Sequence, residues 1–168
     1  MPKSQLRICS ADYANPQHMQ VLIDLLDAYA SDPMGGGEPL SAFAKANLPN
    51  ALQTRPSLFS VLAFDDALAG KAVGLVNCVE GFSTFACRPL VNVHDVVVLA
   101  SHRGQRVAEH MLAAVSTLAQ QRGACKLTLE VLSNNLPAIQ LYRRIGFENY
   151  QLDPAMGQAQ FMHRWLSP

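Results

Sequence analysis

Two polar residues interrupt an apolar run near the middle of the sequence. His94 and Asp95 lie inside Leu90–Leu99, whose other residues are mostly aliphatic. A neutral imidazole can accept a proton near neutral pH, because free histidine titrates at about 6.5. Strand alternation would place Asn92 and His94 on one face and Asp95 on the other, unless a bulge shifts the phase. The pair therefore predicts either a general base or a hydrogen-bonded pair that stabilises a sheet.

A short basic turn follows this strand and leads directly into a helical pattern. The turn contains Arg103, Gly104 and Arg106, and apolar residues then recur at positions 107, 108, 111, 112, 115, 118 and 119. That spacing is typical of an amphipathic helix. A helix N-terminus presents backbone N–H groups that suit phosphate oxygens, and the two arginines add positive charge. Spacing alone leaves a phosphate site and an ordinary strand–helix turn equally open.

The sequence of this turn resembles a known cofactor motif. Residues Arg103–Ala108 are similar to the Gln/Arg-x-x-Gly-x-Gly/Ala motif of the GNAT superfamily of N-acetyltransferases. A second block, Asn135–Phe147, resembles that family's Asn-x-x-Ala-x-x-Leu-Tyr-x-x-x-Gly-Phe segment. The two blocks stand in the family's order, and the resemblance extends from Asn92 to Tyr150. Arg106 departs from the motif, because the family usually has glycine at that position.

The resemblance implies that the protein binds acetyl-CoA. The cofactor-binding residues that it implies are Val97, Val98, Leu99, Arg103, Gly104, Gln105, Arg106, Val107, Ala108, Asn135, Ala138 and Tyr142. A backbone N–H at a strand bulge, expected within Val97–Leu99, would meet the carbonyl oxygen of the thioester. Tyr142 would act near the sulfur as an acid or hydrogen-bond donor, although its apolar helical neighbours also suit a packing role.

Acetyl transfer to an amine also needs a group that removes a proton. By resemblance, Val93–Asp95 aligns with Leu-Glu-Asp in the polyamine and thialysine acetyltransferases, where the Glu faces the amine. His94 is therefore the first candidate base. Glu80 on the neighbouring strand is the second, with solvation at the surface as its alternative role. Asp32 and Glu38 could hold a cationic acceptor, but solvation of their loop is the favoured interpretation.

The elements that must position these residues follow from hydrophobic periodicity and from turn residues. Helices are predicted at 16–30 and 41–53, after the basic turn up to Gly123, and from Asn135 to Gly146. Strands are predicted at Gln5–Ser10, Leu58–Phe64, Lys71–Glu80, Leu90–Leu99 and Lys126–Leu132, with a closing antiparallel pair at Phe147–Leu152 and Gln160–Leu166. Gly81–Pro89 and the glycine-rich Ser31–Pro39 are predicted loops; the resemblance favours Ser31–Pro39 as the rim of an acceptor site.

The predicted fold is α/β. Strand–helix–strand around the central helix implies a right-handed parallel crossover, and the hairpins make the rest of the sheet antiparallel. The resemblance implies a GNAT-like mixed, predominantly antiparallel sheet flanked by helices, with a splayed parallel pair at its centre. The splay is expected between the strand that ends near Leu99 and the strand that starts at Lys126. The pantetheine arm of the cofactor would enter that gap.

Length and composition limit the protein classes. The 168 residues, 49% hydrophobic and 15% charged, predict one globular domain over residues 1–168. Thirteen basic and 13 acidic residues leave no net charge, which does not favour a nucleic-acid partner. The sequence shows no membrane span, no signal-peptide core and no metal-type cysteine spacing. A cytoplasmic protein without a metal is therefore predicted.

These features predict an acetyl-CoA-dependent N-acetyltransferase. It would act on a primary amine of a small molecule or peptide by direct attack in a ternary complex, because no Cys or Ser has the context of a nucleophile. A homodimer is an expected assembly. A noncatalytic acyl-CoA-binding or sensing module is the alternative, which Arg106 keeps open. Nucleotide binding is not favoured, because neither Gly-x-x-x-x-Gly-Lys-Ser/Thr nor Gly-x-Gly-x-x-Gly occurs.

Overall fold

The chain of the computed structural model divides into two units, Met1–Leu129 and Glu130–Pro168. The structure describes residues 5–151, 153, 155, 157 and 159–166. The first unit contains β1 (Leu6–Ser10), α1 (Pro16–Ala30), α2 (Ala42–Gln53), β2 (Leu58–Asp65), β3 (Lys71–Ser83), β4 (Arg88–Val98), α3 (Val107–Gln121) and β5 (Leu127–Leu129). The second contains α4 (Leu136–Arg144). Among the described residues, no helix combines the length and the apolarity that a membrane crossing requires.

The five strands form one sheet in the order β1-β2-β3-β4-β5. The first three pairs of neighbours are antiparallel, whereas β4 and β5 are parallel. Helix α3 makes the connection between these two parallel strands, as a parallel pair requires. The predicted mixed, predominantly antiparallel α/β fold is therefore confirmed.

The β3–β4 hairpin is longer than predicted. Strand pairing continues to Ser83 and Arg88, so the predicted loop Gly81–Pro89 is wrong and residues 84–87 make the connection. Gly and Pro disfavour strands intrinsically, but an established antiparallel ladder extends readily into such positions near its end. Strand β5 is instead shorter than the predicted Lys126–Leu132, since only Leu127–Leu129 pairs with β4.

The predicted closing pair of strands is wrong. The described residues of Phe147–Leu152 and Gln160–Leu166 have no strand conformation, and Leu152 lies outside the described residues. Apolar side chains here come as adjacent pairs, at 161–162 and 165–166, so they do not alternate to give one apolar face. All four of these side chains are at least 77% exposed.

Helix α1 covers one face of the sheet. The Asn15 side chain caps it by accepting hydrogen bonds from the Gln17 and His18 backbone N–H groups. A core cluster joins α1 and α2 to this face and contains Met19, Leu22, Leu25, Leu52, Leu62, Phe64, Leu75 and Val97. Ser41 caps α2, because its hydroxyl accepts the Ala44 N–H.

Gly74 allows the start of α3 to approach the other face of β3. A Cβ atom at Gly74 would lie 2.8 Å from Met111 Cε and 3.2 Å from Val107 Cγ1, and both residues belong to α3. The strand partner of Gly74 is Val98, the last residue of β4. The missing side chain therefore helps to set the distance between the end of β4 and the first turn of α3.

Replacement of Gly74 by valine should push the first turn of α3 away from the sheet. We expect overpacking to lower the free energy of unfolding by about 1–3 kcal/mol, measured by denaturant unfolding with matched thermal scans. Gly81→Val is the control within the same strand. A Cβ atom at Gly81 lies at an ordinary 3.4 Å from Leu90 Cδ1, so this variant should retain wild-type stability or exceed it. Equal losses in the two variants would contradict the close approach at Gly74.

Candidate active site

The site begins where the pairing between β4 and β5 ends. Strand β5 pairs with Val91–Val93, whereas β4 continues to Val98. The Leu99 N–H donates to the Val73 carbonyl oxygen on β3, at 3.0 Å. Backbone N–H groups alternate between the two edges of a strand, so the Val98 N–H points to the β5 edge. Of the three residues predicted to offer a backbone donor, Val98 presents one to this edge.

A bulge in β4 lies at His94. Asn77 of β3 pairs with Asp95 and the next residue, Cys78, pairs with Val93, so His94 is the extra residue of the ladder. The predicted bulge within Val97–Leu99 is therefore wrong. The reason is that those residues continue the regular antiparallel ladder with β3. The bulge leaves the His94 side chain exposed.

The bulge also brings Asp95 to an unexpected face. Asn92 pairs with Val79, which lies two residues from Asn77 on β3, so Asn92 and Asp95 share one face of the sheet. Uninterrupted alternation would have separated them. This shared face is the one that α1 covers. By strand alternation Leu75 and Val97 also point to it, and both belong to the core cluster that includes residues of α1.

A chain of hydrogen bonds crosses three strands on this face. The Tyr13 hydroxyl lies 2.8 Å from Ser60 Oγ, and Ser60 Oγ lies 2.6 Å from Asn77 Oδ1. Asn77 Nδ2 then donates to Asp95 Oδ2 at 2.9 Å. Ser60 is fully buried, so the chain runs through the interior of the first unit before it reaches the carboxylate.

Tyr29, in the last turn of α1, lies within electrostatic reach of two carboxylates. Burial raises the pKa of its hydroxyl, and the charges of Asp95 and Asp32 raise it further. A raised pKa keeps the Tyr29 hydroxyl protonated well above neutral pH, where it remains a hydrogen-bond donor. The α1 end of the site therefore combines one neutral donor with two acidic groups.

The glycine-rich loop after α1 is organised around Asp32. Its Oδ1 accepts the Met34 N–H at 2.9 Å, and its backbone oxygen accepts the N–H groups of Gly35 and Gly37. A Cβ atom at Gly35 would lie 2.0 Å from the Tyr29 carbonyl oxygen, so the loop packs against the end of α1. The Met34 N–H, followed by the Arg103 guanidinium, lowers the pKa of Asp32.

Arg103 connects this loop to the turn after β4. Its Nε donates to the Val98 carbonyl oxygen at 3.2 Å, and its Nη2 donates to Asp32 Oδ2 at 3.0 Å. The predicted cofactor residue thus also contacts the predicted acceptor loop. The Arg103 side chain is 61% exposed, so solvent screens this ion pair.

A buried pair of side chains holds the beginning of the same turn. His102 Nε2 lies 3.3 Å from Asp65 Oδ2, at the end of β2, and His102 Nδ1 lies 2.8 Å from Ser101 Oγ. Asp65 Oδ1 also accepts the backbone N–H groups of Gln5 and Ala67. These polar contacts of His102 tie the turn to the β2–β3 hairpin.

The turn itself is open and basic. Gly104 has φ +76°, and no described atom would lie within 4 Å of a Cβ atom there. Arg106 immediately precedes α3 and has φ +60°, a conformation that favours glycine. The first backbone N–H groups of α3 have no acceptor within the helix. An accessible turn with these donors and two exposed arginines fits the pyrophosphate of acetyl-CoA.

The structure does not bring Glu80 to the Asp95 side of the sheet. Glu80 lies an odd number of residues from Asn77 on β3, so its side chain points to the opposite face. Its carboxylate pairs with Arg122 at 2.9 Å, and Arg122 stacks over the Phe59 ring at 4.4 Å. This ion pair explains the presence of a carboxylate at position 80 at least as well as the predicted catalytic role does.

The second unit holds the remaining predicted residues. Asn135 Oδ1 accepts the Ala138 N–H at 3.4 Å and caps α4, whose first turn contains Pro137. Tyr142 is buried, and its ring meets Phe147 edge-on with centroids 5.8 Å apart. These contacts explain Asn135 as a helix cap and Tyr142 as a packing partner of Phe147. The cofactor role of this second motif stays a prediction.

Sequence reasoning missed Tyr29 and the three residues that lead to Asp95. A signal was present, because Ser60 and Asn77 are polar residues in the apolar middle parts of β2 and β3. Such residues need buried partners. Their partners could not be identified without the register between β2 and β3 and, across the bulge at His94, the register between β3 and β4.

Comparison with known proteins agrees with this architecture. A streptothricin acetyltransferase from Streptomyces lavendulae is 36% identical over 90 residues, which cover 52% of this chain and 48% of that protein. The structure of a probable acetyltransferase has a TM-score of 0.79 at 21% identity, covering 96% of this chain and 99% of its own. An aminoglycoside N-acetyltransferase, AAC(6')-Iy, in complex with CoA has a TM-score of 0.71 at 19% identity, covering 98% of both chains.

The two solved structures, at these identities, show that the fold is shared. The chain spans about half the length of the Streptomyces relative. The sequence profile of the Acetyltransferase (GNAT) family matches residues 22–147, which include β2–β5, the basic turn and α4. The chain therefore belongs to the GNAT acetyltransferase family.

Proposed function

We propose that the protein transfers an acetyl group from acetyl-CoA to a primary amine of a small molecule or peptide, by direct attack in a ternary complex. The observation that carries this proposal is the extension of β4 past Val93 without pairing to β5, which ends beside the basic turn and the N-terminus of α3. Similarity to a streptothricin acetyltransferase and to a CoA-bound aminoglycoside N-acetyltransferase supports it.

The proposed reaction exchanges one bond for another at the thioester carbonyl carbon. The amine nitrogen forms the new C–N bond while the C–S bond breaks, which leaves an amide and the thiolate of CoA. The Val98 N–H would stabilise the carbonyl oxygen as it gains negative charge. His94 would take the proton that the amine loses, directly or through water, and Tyr142 would give a proton to the thiolate.

The candidate amine site lies on the α1 side of the first unit. His94 is exposed on the bulge beside Asp95, and Tyr29 and Asp32 contribute a hydroxyl and a second carboxylate at the end of α1. Arg103 neutralises Asp32, so Asp95 carries the uncompensated negative charge there, and that charge favours an acceptor with an ammonium group in solution. We propose aliphatic primary amines as the acceptor class.

A panel of amines assayed with acetyl-CoA tests the proposed function. It should contain an aminoglycoside, streptothricin, a polyamine and a peptide with a free N-terminus, and release of the CoA thiol would be measured. We expect turnover with at least one aliphatic amine. Tight acetyl-CoA binding without turnover of any amine would favour the noncatalytic acyl-CoA-binding module, which the unusual Arg106 backbone conformation keeps as the second candidate.

Replacement of Gly104 by valine should weaken acetyl-CoA binding. The reason is backbone strain at φ +76°, because no described side chain crowds the position. A left-handed conformation costs a β-branched residue at least about 1–2 kcal/mol, and relaxing it would redirect the N–H groups of the turn. Calorimetry should show a Kd for acetyl-CoA raised by at least about tenfold.

Gly123→Val is the matched control for Gly104→Val. Gly123 follows the other end of α3 with φ +75° and equally open surroundings. The two variants should lose similar stability, but Gly123→Val should bind acetyl-CoA like the wild type. If both variants bind acetyl-CoA with the wild-type Kd while folded, the turn 103–108 is not the pyrophosphate site.

Tyr142→Phe tests the proposed proton donor. The substitution removes the hydroxyl and retains the ring that meets Phe147. Loss of a general acid should lower kcat by roughly 10²–10⁴-fold when chemistry limits the rate, as pre-steady-state measurements would establish. Tyr150→Phe in the same unit should leave kcat unchanged. A wild-type kcat in Tyr142→Phe would return this residue to a packing role.

His94→Gln tests the proposed base through the pH dependence of the rate. If neutral His94 accepts the proton, kcat/KM rises with pH as the imidazole loses its own proton and then levels off. His94→Gln should be slower and lack this lower inflection, while the inflection of the acceptor amine remains. His163→Gln, which changes an exposed histidine of the second unit, should keep both inflections. An unchanged profile in His94→Gln would exclude His94 as the base.

A further inference from the structure

The hydrogen bonds that end at Asp95 have a fixed direction. A carboxylate can only accept, so Asn77 must point its NH₂ group at Asp95 and its Oδ1 at Ser60. Ser60 uses its one hydroxyl proton toward that oxygen. It therefore accepts from the Tyr13 hydroxyl at 2.8 Å. Each donor in the chain consequently points toward Asp95.

The three residues that precede Asp95 in the chain are fixed by burial, strand pairing and a backbone hydrogen bond. Ser60 is 0% exposed in the middle of β2, and Asn77 pairs directly with Asp95 in the strand register. The Tyr13 backbone oxygen accepts a hydrogen bond from Gln53 at 2.7 Å, which ties its loop to the end of α2. Burial raises the pKa of Tyr13 and so keeps it protonated as a donor. Aligned bonds of this kind strengthen one another in a low-dielectric interior.

We propose that Tyr13, Ser60 and Asn77 are positioning residues that hold the Asp95 carboxylate in place to bind the ammonium group of the acceptor. The inference rests on the proposed function and deepens it. It makes Asp95, rather than the exposed His94, the group that orients the amine. The bulge supports this assignment, because His94 is the inserted residue and Asp95 takes the register position opposite Asn77.

Fold stability alone gives little reason for such a chain. Apolar side chains of similar volume often replace buried polar groups without loss of stability, because they avoid desolvation. Here three buried or half-buried residues from the first loop, β2 and β3 form a linear chain, and its last member, Asn77, donates to one half-buried carboxylate. That carboxylate also lies within electrostatic reach of Tyr29, at the end of α1 beside the glycine-rich loop.

A series of variants along the chain tests the proposal by kinetics. With an aliphatic amine from the panel, kcat/KM should fall by about 10²-fold in Asp95→Asn, about tenfold in Asn77→Leu and a few-fold in Tyr13→Phe. The Kd for acetyl-CoA should stay at the wild-type value throughout. An aromatic amine that is uncharged at neutral pH provides the second acceptor, and its kcat/KM should change much less.

Ser116→Ala is the matched control for Ser60→Ala. The Ser116 hydroxyl donates to the Leu112 carbonyl oxygen within α3, so this variant also loses one hydroxyl and one hydrogen bond. Ser60→Ala should lower kcat/KM for the aliphatic amine several-fold, whereas Ser116→Ala should not. Equal losses for the charged and the uncharged amine, in proportion to a lowered Tm, would assign the chain to stability and overturn the proposal.

Binding measurements separate this proposal from the proposed function. Calorimetry with the aliphatic amine and free CoA should show weaker amine binding to Asp95→Asn than to the wild type, whether or not turnover occurs. Wild-type affinity in Asp95→Asn would overturn the role of Asp95 even if the enzyme acetylates the amine. Absence of turnover with every amine, combined with weaker binding in Asp95→Asn, would overturn the proposed function and leave the ammonium site standing.

Discussion

The early end of hydrogen bonding between β4 and β5 is the constraint on which the rest of the site depends. The two parallel strands share only three paired positions, and β4 then continues without this partner to Val98. A backbone N–H group at a sheet edge is a strong donor that requires an acceptor. The interrupted ladder therefore supplies the donor proposed for the thioester, and α3 begins immediately beyond it.

A bulge before this extension decides which side chains reach the proposed acceptor site. It inserts His94, shifts Asp95 by one position and so aligns the carboxylate with Asn77 and, through it, with Ser60. If His94 took a regular ladder position opposite Asn77, Asp95 would lie opposite Val76 and point to the face that α3 covers. The single bulge in β4 thus leaves the His94 imidazole exposed and directs the Asp95 carboxylate toward the interior of the first unit.

Much of the fold could be predicted from periodicity and caps, because these are local properties. Asn15, Ser41 and Asn135 each cap the helix that follows, and the apolar spacing of α3 matches its buried face. The bulge and the length of the β3–β4 hairpin could not be predicted, since both depend on the register between strands. For the same reason Asp95 could not be joined to Asn77 from the sequence.

The proposed cofactor turn is easier to recognise in the sequence than the proposed amine site. Residues 103–108 form a contiguous segment, so its glycine and its basic residues can be recognised directly in the sequence. The proposed amine site combines α1, the loop after it and β4, which are brought together only by folding. Arg103 illustrates the difference, because the motif assigns it to the cofactor whereas its guanidinium also contacts Asp32.

The anchoring of the glycine-rich loop at Asp32 bears on how this protein could evolve. Asp32 alone provides four hydrogen-bond acceptor contacts to the loop and to Arg103, and Gly35 is confined by the Tyr29 carbonyl. Met34 and Glu38 belong to the same loop, but their side chains are exposed. If the proposed acceptor site is correct, substitutions at such positions would alter which amine is selected while the sheet, the bulge and the turn at 103–108 are inherited unchanged.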